Sequence, residues 1–264
     1  MNEPSEVRSL GEDLEFWNWI APFYDSVYTG LEGDVEFYVS LSRDRDWVLD
    51  IGCGTGRIAI PVVKQGSKVV CLDFSRKIIQ IAKSKARVES ADSQIGFVRC
   101  DMKKFRLNKR FDLIIVPYRT FLALVSLEEQ KRTLRNIREH LTDEGLFVFN
   151  VFVPNLRLIA SYVPRWRLYR ECFDEKEESL KIYEIRRYYP IDQIIEMRMK
   201  AIKYSEKKKT EQRDLTLKFR YFHRFELVHL LENCGFEVLE ILGDFEKNRL
   251  DEKSTEMIWI SKKH

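Results

Sequence analysis

Asp50-Ile51-Gly52-Cys53-Gly54-Thr55-Gly56-Arg57 is the stretch on which the reading of this 264-residue chain turns. Residues 46–51 before the glycines are an apolar run suited to a buried strand, and residues 57–64 after them read as a helix with an internal Pro61. Three alternate glycines between a strand and a helix let the backbone turn tightly. They also let it approach a ligand where a Cβ would collide. Read from Gly54 to Ala59, the loop imitates the dinucleotide fingerprint G-x-G-x-x-A, with Asp73 near the end of the next strand placed for a ribose. Asp50 argues against a dinucleotide, because a pyrophosphate needs helix-terminal N–H donors and suffers from a neighbouring carboxylate.

Outward from this loop, short apolar strands alternate with amphipathic helices. Residues 68–72, 95–99, 111–116 and 145–151 read as further strands. Ser75 caps a helix with an apolar stripe of Ile78, Ile79, Ile81, Ala82 and Ala86, and residues 127–141 form another helix. That rhythm predicts a doubly wound parallel sheet with right-handed crossovers. Past Pro154 and Pro164 the character changes. Residues 165–221 are rich in Tyr, Arg, Lys, Glu and Ile, and within them 180–188 and 193–202 read as exposed antiparallel strands joined near Pro190-Ile191-Asp192. Lys207-Lys208-Lys209 falls at a hairpin tip. Helical period returns at residues 225–234 and stops at Gly235, with His223 and His229 near the helix start; residues 236–242 and 256–262 supply two last strands.

Composition bounds the partners. Lys and Arg number 45 against 42 Asp and Glu, a net charge of +3, which excludes a histone-like nucleic-acid binder relying on a large positive excess. A hydrophobic fraction of 44% excludes disorder. At this length folding buries roughly 70–75% of the unfolded surface without needing a metal or disulfide. No apolar run approaches the ~20 residues of a membrane helix; residues 146–153 are broken by Asn150 and stopped by Pro154. Residues 2–13 are polar and acidic with no secretory signal, so the cytoplasm is the expected location. Five scattered cysteines without a C-x-x-C pair, and four dispersed histidines, predict free thiols and no metal.

The D-x-G-x-G-x-G pattern resembles motif I of the class I S-adenosylmethionine-dependent methyltransferases. Their cofactor has no phosphate and carries an ammonium and a sulfonium, which an acid before the glycines favours. The resemblance spans about residues 24–262. It extends to Val69-Val70-Cys71-Leu72-Asp73-Phe74, Phe97-Val98-Arg99-Cys100-Asp101-Met102, the Phe111–Tyr118 stretch, His140-Leu141-Thr142-Asp143-Glu144-Gly145 and Asn233-Cys234-Gly235-Phe236. It implies S-adenosyl-L-methionine as cofactor, held by Tyr28, Asp50, Gly52, Cys53, Gly54, Thr55, Gly56, Arg57, Asp73, Phe74, Asp101, Met102 and Pro117. In that scheme Asp73 takes the ribose hydroxyls, Asp101 the adenine amino group, the backbone of Met102 the ring, and the loop at Pro117 lies beside the methionine moiety. The implied fold is α/β: a doubly wound Rossmann-like, mostly parallel sheet with an antiparallel last strand, an antiparallel β insertion and a helical N-terminal cap. The segments are 1–46 (cap or lid), 47–153 (cofactor core), 154–221 (insertion on the substrate side) and 222–264 (remainder of the core sheet).

Methyl transfer from a sulfonium is an in-line displacement at an activated carbon, so the protein chiefly aligns the reactants and excludes water. A general base helps only when the acceptor is protonated. Tyr24, Tyr118 and His223 are the candidates for such a role. Trp17, Trp19, Phe23, Tyr24 and Tyr28 either form a lid over the cofactor or simply pack as an amphipathic helix. Arg119 and Phe121 follow Tyr118 at the ligand-binding end of the sheet, and Tyr221, His223 and Arg224 return to that end. The expected reaction is methylation of a small molecule, with no membrane partner. The alternatives are RNA or protein methylation through the basic insertion, and a non-catalytic cofactor-binding scaffold. Val116-Pro117-Tyr118-Arg119 lacks the amide or acid that a nucleobase amino-methyltransferase places there.

Overall fold

The computed structural model describes residues 10–173 and 178–264, with side chains from residue 14 onward, so most of the polar stretch 2–13 lies outside the described residues. The chain enters through α1 (Leu10–Ile20), a 3-10 turn (Ala21–Phe23), α2 (Tyr24–Val27) and α3 (Asp34–Ser42). The core follows as β1 (Trp47–Ile51), α4 (Ala59–Lys64), β2 (Lys68–Asp73), α5 (Arg76–Val88), β3 (Ile95–Arg99), β4 (Phe111–Val116), α6 (Leu127–His140) and β5 (Leu141–Phe152). After α7 (Leu156–Ser161) come β6 (Arg167–Phe173), β7 (Ser179–Tyr189), β8 (Ile194–Ser205) and β9 (Lys208–Arg220). The chain closes with α8 (Arg224–Asn233), β10 (Phe236–Leu242) and β11 (Glu256–Lys263).

Seven strands form one sheet in the order β10-β11-β5-β4-β1-β2-β3. All pairs from β5 to β3 are parallel, and β11 runs antiparallel to both β5 and β10, the arrangement that the resemblance implies. Strand alternation sorts the core into two layers. Leu49, Ile51, Ile114, Phe147, Phe149 and Trp259 face Leu134 and Ile137 of α6 and Leu227 and Leu231 of α8. Val48, Leu113, Val148 and Ile258 face Phe37 and Tyr38 of α3 and Val62 and Val63 of α4. Ser75 and Ser126 cap α5 and α6, each accepting a backbone N–H of its own first turn.

Three departures from the sequence reading are local. The helix expected at 57–64 begins at Ala59, because residues 54–58 are spent in the glycine turn. The fifth strand begins at Leu141 instead of residue 145. Phe111 pairs with Leu141 but Leu113 with Leu146, a bulge made where a Cβ on Gly145 would lie 2.9 Å from the Phe111 carbonyl oxygen. His229 sits in the middle of α8 and not at its start.

The largest difference is in the insertion, which carries four strands where two were expected, in the order β6-β7-β8-β9. Both extra strands are edges. β6 carries a bulge between Leu168 and Arg170, and β9 opens on an exposed polar run, so neither shows a clean period of two. Nor are the strands exposed on both faces. Cys172, Leu180, Ile182, Met199, Ala201 and Leu215 pack against Phe16, Ile20, Phe23 and Val27. The N-terminal segment is thereby sandwiched between the two sheets. Asn18 Oδ1 accepts from Ser75 Oγ (3.1 Å) and the Lys77 amide (3.2 Å) on one side. On the other, Lys203 Nζ donates to the Trp19 carbonyl at 3.1 Å.

Candidate active site

The glycine loop after β1 is held in left-handed backbone conformation at all three glycines, with φ of +76°, +55° and +86° at Gly52, Gly54 and Gly56. Two of them are also places of close approach. A Cβ on Gly52 would lie 2.7 Å from Thr120 Cγ2, and one on Gly54 would lie 3.0 Å from the Tyr24 hydroxyl. The loop is locked to β2 by the amides of Gly52 and Cys53, which donate to the Leu72 carbonyl at 2.7 and 3.2 Å. At the end of β2, Asp73 Oδ2 accepts from the Gly54 amide at 3.1 Å and Oδ1 from the Ser75 amide at 2.9 Å. Burial raises the Asp73 pKa, against the pull of these N–H groups.

Asp50, at the foot of the loop, is 1% exposed and neither carboxylate oxygen has a hydrogen-bond partner among the described residues. Burial pushes its pKa up to about 7, with Arg57 opposing. A buried acid left without a donor is costly, and the arrangement fits a cationic ligand over the loop. Arg57 does not supply that donor, because Asp34 at the start of α3 takes its guanidinium in a fork, at 2.6 and 2.7 Å. Asp34 is 1% exposed and was missed in the sequence, where no spacing links it to the loop. Thr55 donates to Asp25 Oδ1 at 2.5 Å, and Lys85 reaches the other Asp25 oxygen, so α2 is tied to the loop and to α5. Cys53 is buried beside Cys71, whose hydrogen bond together with burial raises its pKa.

Aromatic rings wall the opposite side. Trp17 lies 5.5 Å and Tyr24 5.0 Å from Tyr28, and Tyr28 meets the Tyr118 ring edge-on at 6.3 Å. The N-terminal aromatics divide between core and cleft, with Tyr28 touching both. Phe16 and Phe23 are core, with Trp19 packed against that core, while Tyr24 and Tyr28 line the cleft with Pro117, Tyr118 and Thr120. Burial raises the pKa of Tyr24, Tyr28 and Tyr118, so all three hydroxyls stay protonated near neutral pH.

After β4, Tyr118 and Arg119 both adopt positive φ, +55° and +62°, a conformation held only when surroundings over-determine it. A buried network does so here. Arg119 forks onto Glu256 of β11, its amide donates to Asn150 Oδ1 at 3.4 Å, and Asn150 Nδ2 donates to Glu256 Oε2 at 2.8 Å. The Tyr38 hydroxyl also donates to Asn150 Oδ1, at 3.3 Å. The amide breaking the apolar run at residues 146–153 was the one sequence sign of this network.

The cleft gathers Tyr24, Tyr28, Asp50, Gly52, Cys53, Gly54, Thr55, Arg57, Pro117 and Tyr118 of the expected residues. Gly56, Asp73, Phe74, Asp101 and Met102 stand beside it along the carboxyl ends of β1, β2 and β3. The Phe74 carbonyl accepts from Arg99 Nε at 3.2 Å, and Asp101 Oδ1 accepts from the Lys103 amide at 2.9 Å. Met102 packs at the edge of the core. His223 does not join them. It is exposed at the N-cap of α8, where its amide donates to Glu226 at 3.3 Å.

Residues 48–145 match the family model described as a methyltransferase domain. A protein of Geobacillus sp. (strain WCH70), whose name places it among methyltransferases, is 26% identical over 82% of this chain and 84% of its own. Among solved structures, the CcbJ methyltransferase from Streptomyces caelestis superposes with a TM-score of 0.76 at 22% identity, covering 92% of this chain and 96% of that one. The sugar N-methyltransferase KedS8 from Streptoalloteichus sp. ATCC 53650 superposes with a TM-score of 0.69 at 15% identity, covering 98% and 97%. No described helix is long and apolar enough to cross a membrane.

Proposed function

The chain belongs to the class I S-adenosylmethionine-dependent methyltransferases, and from that premise we propose that it methylates a small-molecule acceptor. The observation that carries the reading is Asp50, a buried acid with two unpartnered oxygens under a glycine loop whose Gly54 amide is already joined to Asp73. S-Adenosylmethionine supplies a methyl group already activated by its sulfonium. Asp50 would face the cationic part of that cofactor, Asp73 the ribose, Asp101 and the Met102 amide the adenine, and Phe74 and Pro117 the flanking surfaces. Gly52, Gly54 and Gly56 leave the room for close approach, and Arg57, Thr55 and Cys53 hold the loop in shape.

Tyr28 and Tyr118 would bound the acceptor from the cofactor side and keep water out. Their raised pKa values suit hydrogen-bond donation and not proton abstraction, and Tyr24 is in the same position. His223 has no part in this scheme. The enclosed position of the cleft, and a fold neighbour named as a sugar N-methyltransferase, support a small acceptor over a nucleic acid or protein. In this reading residues 1–46 act as lid, 47–153 and 222–264 as cofactor core, and 154–221 as the acceptor side. A cytoplasmic site of action is part of the same proposal and rests on five unpaired thiols.

Calorimetry with S-adenosylmethionine and S-adenosylhomocysteine tests the cofactor assignment, with binding expected in the micromolar range or tighter. Release of S-adenosylhomocysteine against a metabolite panel then tests the acceptor class. Binding without turnover on any small molecule, but with turnover on RNA or protein, overturns the small-molecule reading. Binding with no turnover at all favours a scaffold.

A further inference from the structure

Across the cleft from the glycine loop, the inner face of the second sheet changes character along its length. Its middle, against Phe16, Ile20, Phe23 and Val27, is apolar, but beyond Ile182 it carries charge. Register places Arg167 opposite Glu184 and Arg170 opposite Ile182, and the two-residue strand period puts Arg186 on the same face as Glu184. Glu184 is completely buried. Its Oε1 takes Nε and Nη2 of Arg167 at 2.8 and 2.6 Å, and Arg186 Nη2 donates to Oε2 at 3.1 Å.

One carboxylate thus serves two guanidiniums, and a third, Arg170, has no carboxylate partner among the described residues. The Nε atoms of both Arg170 and Arg186 are buried without an acceptor among the described residues. Glu171 and Lys181, next along β6 and β7, pair with each other at 3.1 Å on the opposite face and do not neutralise this one. Among the described residues, the stretch of this face around Glu184 therefore holds three guanidiniums against one carboxylate, with donors left unsatisfied, which is an unfavourable arrangement until an anion arrives.

This face adjoins the aromatic wall of the cleft, where Tyr28 packs against the cluster that holds Cys172 and Ile182. Tyr28, whose hydroxyl is buried without a partner among the described residues, sits in the electrostatic reach of Glu184 and Tyr169, and Tyr118 in that of Tyr169 and Arg170. Tyr28 and Tyr118 both line the glycine-loop cleft, so the arginines stand on the far side of the rings that bound it. A planar fork with free N–H donors matches a carboxylate or phosphate.

We propose that Arg170, with Arg186 beside it, binds an anionic group of the methyl acceptor, a carboxylate or a phosphate, and so selects acidic small molecules. The inference rests on the methyltransferase reading but is tested apart from it. The full chain saturated with S-adenosylhomocysteine is titrated calorimetrically with benzoate, inorganic phosphate and the neutral isostere benzamide. At least one of the two anions is expected to bind at least about tenfold more tightly than benzamide, and the tighter of the two identifies the group. Arg170→Gln should lose that preference by about tenfold or more while keeping its affinity for S-adenosylhomocysteine. Arg170→Lys, which keeps the charge without the fork, should fall between.

Equal affinity for benzamide and both anions, or an anion preference that survives Arg170→Gln, overturns the proposal and leaves the methyltransferase reading standing. Failure of S-adenosylhomocysteine to bind the unmodified chain overturns that reading instead.

Discussion

The glycine-loop cleft and the second sheet beyond its aromatic wall are built by different physics. The glycine-loop side is made of backbone. Left-handed φ at Gly52, Gly54 and Gly56 and amides aimed at Leu72 and Asp73 shape it, all from neighbouring strand ends. The second sheet acts through side chains, where Glu184 gathers Arg167 from the neighbouring strand and Arg186 from its own, and Phe23, in the 3-10 turn between α1 and α2, fills the apolar part. A backbone site depends on conformational freedom at a few positions and tolerates little change there. A side-chain site depends on a sheet being folded beneath it, and its charges can be exchanged one by one. The common cofactor and the variable acceptor would each be served by the matching construction.

The contrast can be broken by substitution. Gly54→Val should have the largest effect, because it combines a φ of +55° with a Cβ placed 3.0 Å from the Tyr24 hydroxyl. A loss of S-adenosylhomocysteine affinity of about a hundredfold is expected by calorimetry, and near-normal binding would show that the loop is more yielding than its geometry says. Leu215→Ala, in the satellite core of the second sheet, should lower stability by about 2–3 kcal/mol in urea melts. S-Adenosylhomocysteine affinity should stay within about twofold; a larger drop would mean that the two sides are one unit.

Asp73→Ala follows, with cofactor affinity reduced about tenfold or more, since a charge-assisted acceptor for ribose hydroxyls is removed. Unchanged affinity would misassign the ribose contact. Asp50→Asn is the subtlest. The folded pKa of about 7 lies above the ordinary carboxylate value, so ionising Asp50 costs stability progressively from about pH 4 up to about pH 7. The ligand-free Asn variant should therefore melt higher than the unmodified protein above pH 7 and no higher near pH 4. Cofactor affinity of the unmodified chain should rise with pH up to about 7 and flatten above it, while the Asn variant stays flat. A pH-independent difference in melting would place the cost elsewhere than in the charge.

Much of the first sheet was legible because its signals are local. β3, β4 and β10 fall on the residues their periodicity marked, and Ser75 caps α5 from the neighbouring position. What escaped was non-local. Arg57 reads as part of the loop, but only the fold shows that Asp34, 23 residues away, already holds it. Asn150 stands out in an apolar run, yet its partners Tyr38 and Glu256 lie 112 and 106 residues distant. β6 and β9 are edge strands with a bulge or a polar start, so the period-two pattern that marks β7 and β8 is lost there. His223 attracted notice as a titratable group, and helix capping accounts for its place.

By itself the sequence determined a strand, a glycine turn and a helix, with Asp50 and Asp73 at the ends of the two strands beside the turn. Those features depend on residues within one βαβ unit, where spacing along the chain translates into geometry. Tertiary structure alone decided which aromatics are core and which are wall. It alone decided that Asp34 neutralises Arg57 while Asp50 stays unpaired, and that three arginines crowd one glutamate opposite the cleft. Those outcomes depend on register and on packing between two sheets, and charge pairing across strands leaves no periodic trace in the order of residues.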